Sequence, residues 1–186
     1  VRSRQLFADK GLMAVVVDAP SDRLRAPFLN GFRQTEEHAA DLKATIAWAR
    51  ATAKVPVWLV GTSRGTQSAA YAATVLQGAD APDGVVLTAT ILTDDKQRPV
   101  PAMPLEHIKV PVLVVHHQQD GCSYCAYSEI PNLMAKLTHT PRSHLITATG
   151  GKNQGDACAA FAHHGFNGLE ADVVGQMADW ILAPAR

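Results

Sequence analysis

The chain has 186 residues, a mass of 19.9 kDa and 17 basic against 17 acidic side chains, so its formal net charge is zero. The length fits one domain with its own core, and 47% apolar with 18% charged residues is a globular composition. The balanced charge argues against a nucleic-acid partner, and no apolar run approaches the roughly 18 residues of a membrane helix. We therefore expect a single domain over residues 1–186 without a membrane span. Residues 1–4 lead straight into a helical pattern and predict no signal peptide.

The first quarter of the chain predicts a helix, a buried strand and a second helix. Residues 2–10 have a helical pattern that ends before a glycine. The run Leu-Met-Ala-Val-Val-Val at 12–17 is continuously apolar, which is typical of a strand buried on both faces of a parallel sheet. Residues 19–33 have the composition of a loop. A long helix is predicted over 35–53, with Thr35 as its N-cap.

Strands and helices alternate through the rest of the chain. Further strands are predicted at 55–60, 85–90, 111–116 and 143–149. Further helices are predicted at 64–77, 129–138 and 168–182, and the proline-containing stretch 91–109 is predicted to be a connection with one helical turn. Because helices separate the strands, the pattern predicts an α/β domain with a parallel sheet.

The sharpest motif is Gly61-Thr62-Ser63-Arg64-Gly65, a G-x-S-x-G. It directly follows a predicted strand and opens a predicted helix, which is the context of a nucleophile elbow. In such a turn the serine is held in a strained conformation above the sheet, and small residues two before and two after it prevent clashes. The alternative interpretation is an ordinary Gly/Ser turn between a strand and a helix.

A serine nucleophile needs a base, and in this arrangement the acid precedes the histidine in the chain. Asp120 lies just past the strand predicted at 111–116, in the loop where the acid should stand. Asp94 and Asp95, after the preceding strand, are alternative acids. An Asp-Gly pair such as Asp120-Gly121 is also often only a turn.

The base should follow the last strand, where His163 and His164 stand side by side. We favour His164, which precedes a glycine at the end of the loop, although the pair could also be a polar loop without a role. His139 and His144 flank the last strand and are predicted to face solvent. Asp120 would hold the His164 imidazole in one tautomer while that ring takes the proton of the serine.

With these motifs in order, the sequence resembles the α/β-hydrolase family. The matching segments are Gly-Thr-Ser-Arg-Gly at 61–65, the stretch 111–120 that ends in the aspartate, and His-Gly-Phe at 164–166. The resemblance implies a three-layer α/β/α fold with a mostly parallel sheet. It also implies a serine esterase that forms an acyl-enzyme on small ester substrates, with no cofactor and no metal. The stretch 91–109 is too short for a cap domain, so the chain is most similar to capless, dienelactone-hydrolase-like members with an open site.

In the family two backbone N–H groups form the oxyanion hole, and the resemblance assigns one of them to Arg64. The other comes from a loop before the first helix, and this chain has no counterpart of that loop or of the family's first strands. We therefore expect an N-terminal segment of the same protein to be missing, and an apolar strand edge to be exposed. The Arg64 side chain could contact an anionic substrate or lie in an ion pair.

The three cysteines can be placed once the triad is assumed. Cys122 lies two residues after the proposed acid and Cys158 six residues before the proposed base, so a Cys122–Cys158 disulfide would tie the two loops together. Cys125 is the alternative partner. A disulfide requires an oxidising compartment and so hints at export to the periplasm or beyond.

Two other functions use the same residues differently. Cys122, Cys125, Cys158 and either His163 or His164 could form a zinc site, although the chain lacks a second C-x2-C pair. Alternatively, the protein could be a non-catalytic relative of the hydrolases. The presence of all three triad residue types argues against that interpretation. The sequence predicts no oligomeric state.

Overall fold

The computed structural model describes residues 2–183 of the predicted domain 1–186. Residues 184–186 lie outside the described residues, and so does Val1, the first residue of the segment predicted not to be a signal peptide. Its helices are α1 (Arg4–Asp9), α2 (Glu36–Ala53), α3 (Arg64–Val75), α4 (Ile130–Ala135) and α5 (Glu170–Leu182). Its strands are β1 (Trp58–Thr62), β2 (Gly84–Thr88), β3 (Val112–His117) and β4 (Ser143–Ala148). The connection at 91–109, predicted with one helical turn, contains two, Val100–Ala102 and Leu105–His107.

The four strands form one parallel sheet in the order β1-β2-β3-β4. The register aligns Val60 with Val86, and Val86 with Leu113. All four strands therefore end at the same edge of the sheet, and the loops that follow them meet there. In open α/β sheets this edge is where ligands bind.

The core has two halves, one on each face of the sheet, because successive strand residues point to opposite faces. On β2, Val85 and Leu87 pack with residues of α3 and α4, whereas Val86 packs with residues of α5. Helix α1 contacts α5, and α2 packs against α3. The predicted three-layer α/β/α architecture with a parallel sheet is thus confirmed.

The prediction of a strand at 12–17 is wrong. The residues Met13, Val15, Val16 and Val17 are 40–52% exposed and none of them belongs to a strand. An apolar run becomes a strand only when a neighbouring edge satisfies its backbone hydrogen bonds. Within residues 2–183, β1 is one of the two terminal strands of the sheet and nothing pairs with its outer edge. Val60 on that strand is 44% exposed, so the expected apolar edge is present.

The other elements agree with the predictions to within three residues. Helix α2 begins after Thr35, whose hydroxyl oxygen accepts a hydrogen bond of 3.2 Å from the backbone N–H of His38. Strand β1 begins later than predicted, and just before it the backbone N–H of Val57 donates to the Asp83 carboxylate at 2.7 Å. None of the helices within residues 2–183 is both long and apolar enough to cross a bilayer.

Candidate active site

Ser63 occupies a strained turn between β1 and α3. Its φ of 51° and ψ of −123° lie in a region that non-glycine residues rarely adopt. The turn is held from both sides, since the Ser63 N–H donates to the Thr88 carbonyl at 3.0 Å and the Ser63 carbonyl accepts from the Thr66 N–H at 2.9 Å. This conformation is the one that the nucleophile-elbow interpretation of the motif predicts.

The two glycines of the motif are not equivalent. A Cβ atom on Gly61 would lie 2.5 Å from the carbonyl oxygen of Gly65, which is closer than real Cβ contacts. A Cβ on Gly65 would meet nothing within 4 Å. The need for a small residue therefore rests on Gly61, and the prediction of the same need at Gly65 is wrong because that position faces open space.

Asp120 and His164 form a buried hydrogen-bonded pair. The Nδ1 atom of His164 lies 2.9 Å from Oδ2 of Asp120, and both side chains are almost inaccessible to solvent. The other carboxylate oxygen, Oδ1, accepts a hydrogen bond of 2.9 Å from the Cys122 N–H. Because each oxygen has its own partner, the carboxylate is fixed and in turn fixes the plane of the imidazole.

The second ring nitrogen of His164, Nε2, is buried and has no hydrogen-bond partner among the residues described. In the neutral tautomer whose Nδ1–H is directed at the carboxylate, the lone pair of the ring is on Nε2. A positioned imidazole with a free Nε2 is what a general base requires. Ser63, at the end of β1, is partly exposed.

His116, at the end of β3, is a buried neighbour of this pair that the sequence did not single out. Its Nε2 atom donates to the Cys125 carbonyl at 2.8 Å and lies 3.6 Å from Oδ2 of Asp120, while Nδ1 accepts from the Thr90 N–H at 3.4 Å. Burial lowers the pKa of His116, and the Cys125 carbonyl and Asp120 only partly oppose that effect. The ring is therefore neutral and presents an N–H beside the carboxylate.

His163, the alternative base, has different contacts. Its ring stacks on that of His117 with centroids 4.2 Å apart, and its Nδ1 donates to the Gln119 carbonyl at 3.2 Å. Only His164 of the two candidates is hydrogen-bonded to Asp120 in the described chain. His139 and His144 are exposed, as predicted.

Asp94, one of the alternative acids, forms an ion pair with Arg64. Burial would raise the pKa of the Asp94 carboxyl, but hydrogen bonds from Arg64 and from the backbone of Lys96 and Gln97 outweigh it and lower that pKa. The Arg64 guanidinium also lies over the Tyr124 ring, 4.8 Å from its centroid. The ion-pair interpretation of the Arg64 side chain is therefore the one observed.

Cys122 and Cys158 form the predicted disulfide, which closes a separation of 36 residues. It joins the loop that carries Asp120 to the loop that precedes His164. Cys125 is a buried free thiol, and burial, with a smaller contribution from Asp120, raises its pKa to about 12.

A pocket of about 340 Å³ lies beside Arg64 and is lined on its other sides by Phe28, Arg33 and Gln97. A second pocket of about 350 Å³ lies at the opposite end of the sheet, between Gln77 and Pro111, and contains none of the site residues. The first pocket reaches Arg64, the residue after Ser63, whereas Ser63, Asp120 and His164 line neither of these two pockets.

The fold is shared with solved hydrolase structures. A dienelactone hydrolase from Anabaena variabilis is 18% identical with a TM-score of 0.67, and the match covers all of this chain and 78% of that one. A cold-adapted esterase from an Arctic intertidal metagenomic library is 16% identical with a TM-score of 0.63, covering 96% and 74%. A sugar hydrolase from Lactococcus lactis is 14% identical with a TM-score of 0.60, and the match covers 96% of this chain and 79% of that one.

No protein-family model matches the chain. No curated protein matches it either. The likeness shows that the chain has the α/β-hydrolase fold.

Proposed function

We propose that the protein is a serine hydrolase that cleaves small carboxylic esters. Ser63 is the nucleophile, His164 the general base and acid, and Asp120 the residue that orients the imidazole. The observation that carries the proposal is the buried Asp120–His164 hydrogen bond of 2.9 Å, which leaves Nε2 of His164 without a partner in the described chain. In this fold the strained turn of Ser63 is the place of a nucleophile.

The reaction proceeds in two halves. Ser63 Oγ attacks the ester carbonyl carbon as Nε2 of His164 accepts the hydroxyl proton, and the same nitrogen returns that proton to the departing alcohol. A water molecule then attacks the acyl carbon as Nε2 accepts one of its protons. Nε2 passes that proton to Ser63 Oγ as the acyl–Oγ bond breaks and the carboxylic acid leaves. The Asp120 carboxylate stabilises the imidazolium in both halves.

The oxyanion of each tetrahedral intermediate is stabilised by the backbone N–H of Arg64, at the start of α3. The first N–H groups of a helix have no intrahelical partner, and the helix dipole favours negative charge there. Because Asp94 compensates the charge of the Arg64 side chain, the arginine contributes to the reaction through its backbone.

Ester substrates of small size fit the pocket of about 340 Å³ beside Arg64. Drug-sized ligands occupy pockets of about 300–1,000 Å³, so this one is at the lower end of that range. The proteins of the same fold include ones described as a dienelactone hydrolase and as an esterase. Both descriptions support an ester bond as the bond that is cleaved.

We also propose that an N-terminal segment of the same protein supplies the second oxyanion donor and covers the free edge of β1. The exposed residues Val16 and Val60, 46% and 44% accessible, support this part of the proposal. The intact mass of the protein purified from its source tests it. A mass of 19.9 kDa would refute the proposal that the protein has this N-terminal segment.

A fluorophosphonate probe tests the nucleophile directly, since it reacts only with an activated serine. We expect one adduct, located on Ser63 by peptide mass spectrometry and absent from Ser63→Ala. Ser128→Ala, at an exposed serine, is the matched control and should label like the unmodified protein. A folded full-length protein with no adduct on Ser63 would refute the mechanism.

A further inference from the structure

Three ligating atoms lie together beside the proposed base. The Sγ atoms of Cys122 and Cys125 and a ring nitrogen of His164 are all within 4.8 Å of one another, and all three residues are buried. In a tetrahedral zinc site with Zn–S of about 2.3 Å, two sulfur ligands are roughly 3.8 Å apart, so only a small contraction would complete the geometry. The Nε2 atom of His164 has no hydrogen-bond partner among the described residues, so the nitrogen proposed as the base is also available to a metal ion.

The disulfide keeps this group from binding a metal. The thiolate is the form of cysteine that coordinates a metal, and Cys122 is held in its bond to Cys158. The two partners differ in position, since Cys122 is 2% exposed and anchored by its N–H to Asp120, whereas Cys158 lies on an exposed loop. When the bond is cleaved, Cys158 can move into solvent and Cys122 remains beside Cys125.

We propose that reduction of the Cys122–Cys158 disulfide creates a zinc site formed by Cys122, Cys125 and His164. A dithiol supplies the two electrons and two protons and is itself oxidised to a disulfide. Zinc then displaces the protons of the Cys122 and Cys125 thiols into solvent. Two thiolates and an imidazole suit zinc better than the hard cations magnesium and calcium.

Zinc at this site takes the histidine out of the reaction, a consequence that rests on the proposed function. If the metal binds Nε2, the ring has no lone pair for the proton of Ser63. If it binds Nδ1, the hydrogen bond to Asp120 is lost and the imidazole is no longer oriented. In either case the oxidised protein is active and the reduced, zinc-loaded protein is not.

The site differs from the four-residue zinc site that the sequence suggested. Cys158 is exposed and its sulfur is not among the clustered atoms, and His163 is stacked on His117. The three clustered residues leave the remaining position of a tetrahedral ion open to water, as in zinc sites with three protein ligands.

The variant Cys158→Ser tests the proposal without a reductant, because it leaves Cys122 as a free thiol. After exposure to Zn²⁺ and dialysis into metal-free buffer, we expect one zinc per chain in Cys158→Ser and none in the oxidised unmodified protein. With Co²⁺ in its place, the variant should show a thiolate-to-cobalt charge-transfer band. Adding Zn²⁺ should abolish esterase activity of the variant and leave that of the unmodified protein unchanged.

Matched pairs in the Cys158→Ser background identify the ligands. Cys125→Ala and His164→Ala should each weaken zinc binding by at least about tenfold, since even loss of an outer-shell partner costs 10–100-fold. His163→Ala should bind zinc as the parent variant does. Equal affinity of the Cys125→Ala and parent proteins would overturn the proposed ligand set.

A folded Cys158→Ser protein that retains no zinc would overturn the site itself. Should that variant fail to fold, zinc content is measured on the unmodified protein after reduction with a phosphine. A reduced protein that does not bind zinc would likewise overturn the site. Metal content and the cobalt spectrum do not depend on catalysis. If the protein binds zinc after reduction but has no hydrolase activity even when oxidised and free of zinc, the proposed function is refuted and the proposed metal site is not.

Discussion

The Nδ1 atom of His164 lies 2.9 Å from Oδ2 of Asp120, although the two residues are 44 positions apart in the chain. Strands β3 and β4, neighbours in the sheet, end beside each other and deliver the two loops to one place. The Cys122–Cys158 disulfide then joins these loops a second time. The acid and the base are thus coupled by a hydrogen bond and by a covalent bond.

Asp120→Asn should lower kcat by about 10³–10⁴-fold, because the amide NH₂ cannot accept a hydrogen bond from Nδ1–H of His164. The His164 ring would then adopt the wrong tautomer. Ser63→Ala should be the more severe change, since it removes the nucleophile. The measurement is ester hydrolysis at saturating substrate. Asp95→Asn, at an exposed aspartate, is the control and should keep full activity. An Asp120→Asn enzyme with unchanged kcat would exclude Asp120 as the acid.

Gly61→Ala should destabilise the protein by about 1–3 kcal/mol, the usual cost of overpacking. Its Cβ would stand 2.5 Å from the Gly65 carbonyl oxygen, so the turn that holds Ser63 must shift and activity should fall with stability. Urea unfolding gives the free energy. Gly65→Ala, where the new atom meets nothing within 4 Å, should be neutral or slightly stabilising. Equal effects of the two substitutions would contradict the steric argument.

Cys158→Ser should lower the free energy of unfolding by up to roughly 3–4 kcal/mol, because the disulfide closes a long loop and restricts the unfolded chain. The separation between the bonded residues Cys122 and Cys158 is 36 positions. Urea unfolding with and without a phosphine reductant measures the effect. Under reductant the variant and the unmodified protein should have the same midpoint. A difference that persists there would come from the serine itself.

Stability should fall as the pH falls from about 7.5 to 5.5, and His38 on α2 should contribute to the loss. Burial and then the charge of Arg33 lower the pKa of His38, while Asp41 partly opposes them. Below the usual histidine pKa of about 6.5, the unfolded chain binds a proton that the folded chain does not, so acidification favours unfolding until the lowered pKa is passed. Burial lowers the pKa of His116 and His117 as well, so their contributions have the same sign.

His38→Leu should reduce this pH dependence. Neither ring nitrogen of His38 has a hydrogen-bond partner in the described chain, so leucine loses no polar contact there. The free energy of unfolding in urea at the two pH values is the measurement. His144→Gln, at an exposed position, should leave the slope with pH unchanged. A His38→Leu protein with the slope of the unmodified chain would show that His38 does not titrate differently on folding.

The sequence by itself determined the alternation of strands and helices, the elbow at Ser63 and the candidates Asp120, His163 and His164. These depend on local signals: apolar runs, a G-x-S-x-G between a strand and a helix, and polar residues directly after strands. The Cys122–Cys158 disulfide is predicted from the sequence only once the triad is assumed, with Cys125 as the alternative partner.

The tertiary structure decided what depends on contacts between distant parts of the chain. The run at 12–17 has the composition of a strand, but within residues 2–183 it pairs with no strand, although the outer edge of β1 is free. The tertiary structure also distinguished the two adjacent histidines, because His164 is hydrogen-bonded to Asp120 whereas the His163 ring stacks on that of His117. Adjacent residues in a turn point in different directions, and only the packing around them determines which one meets the carboxylate.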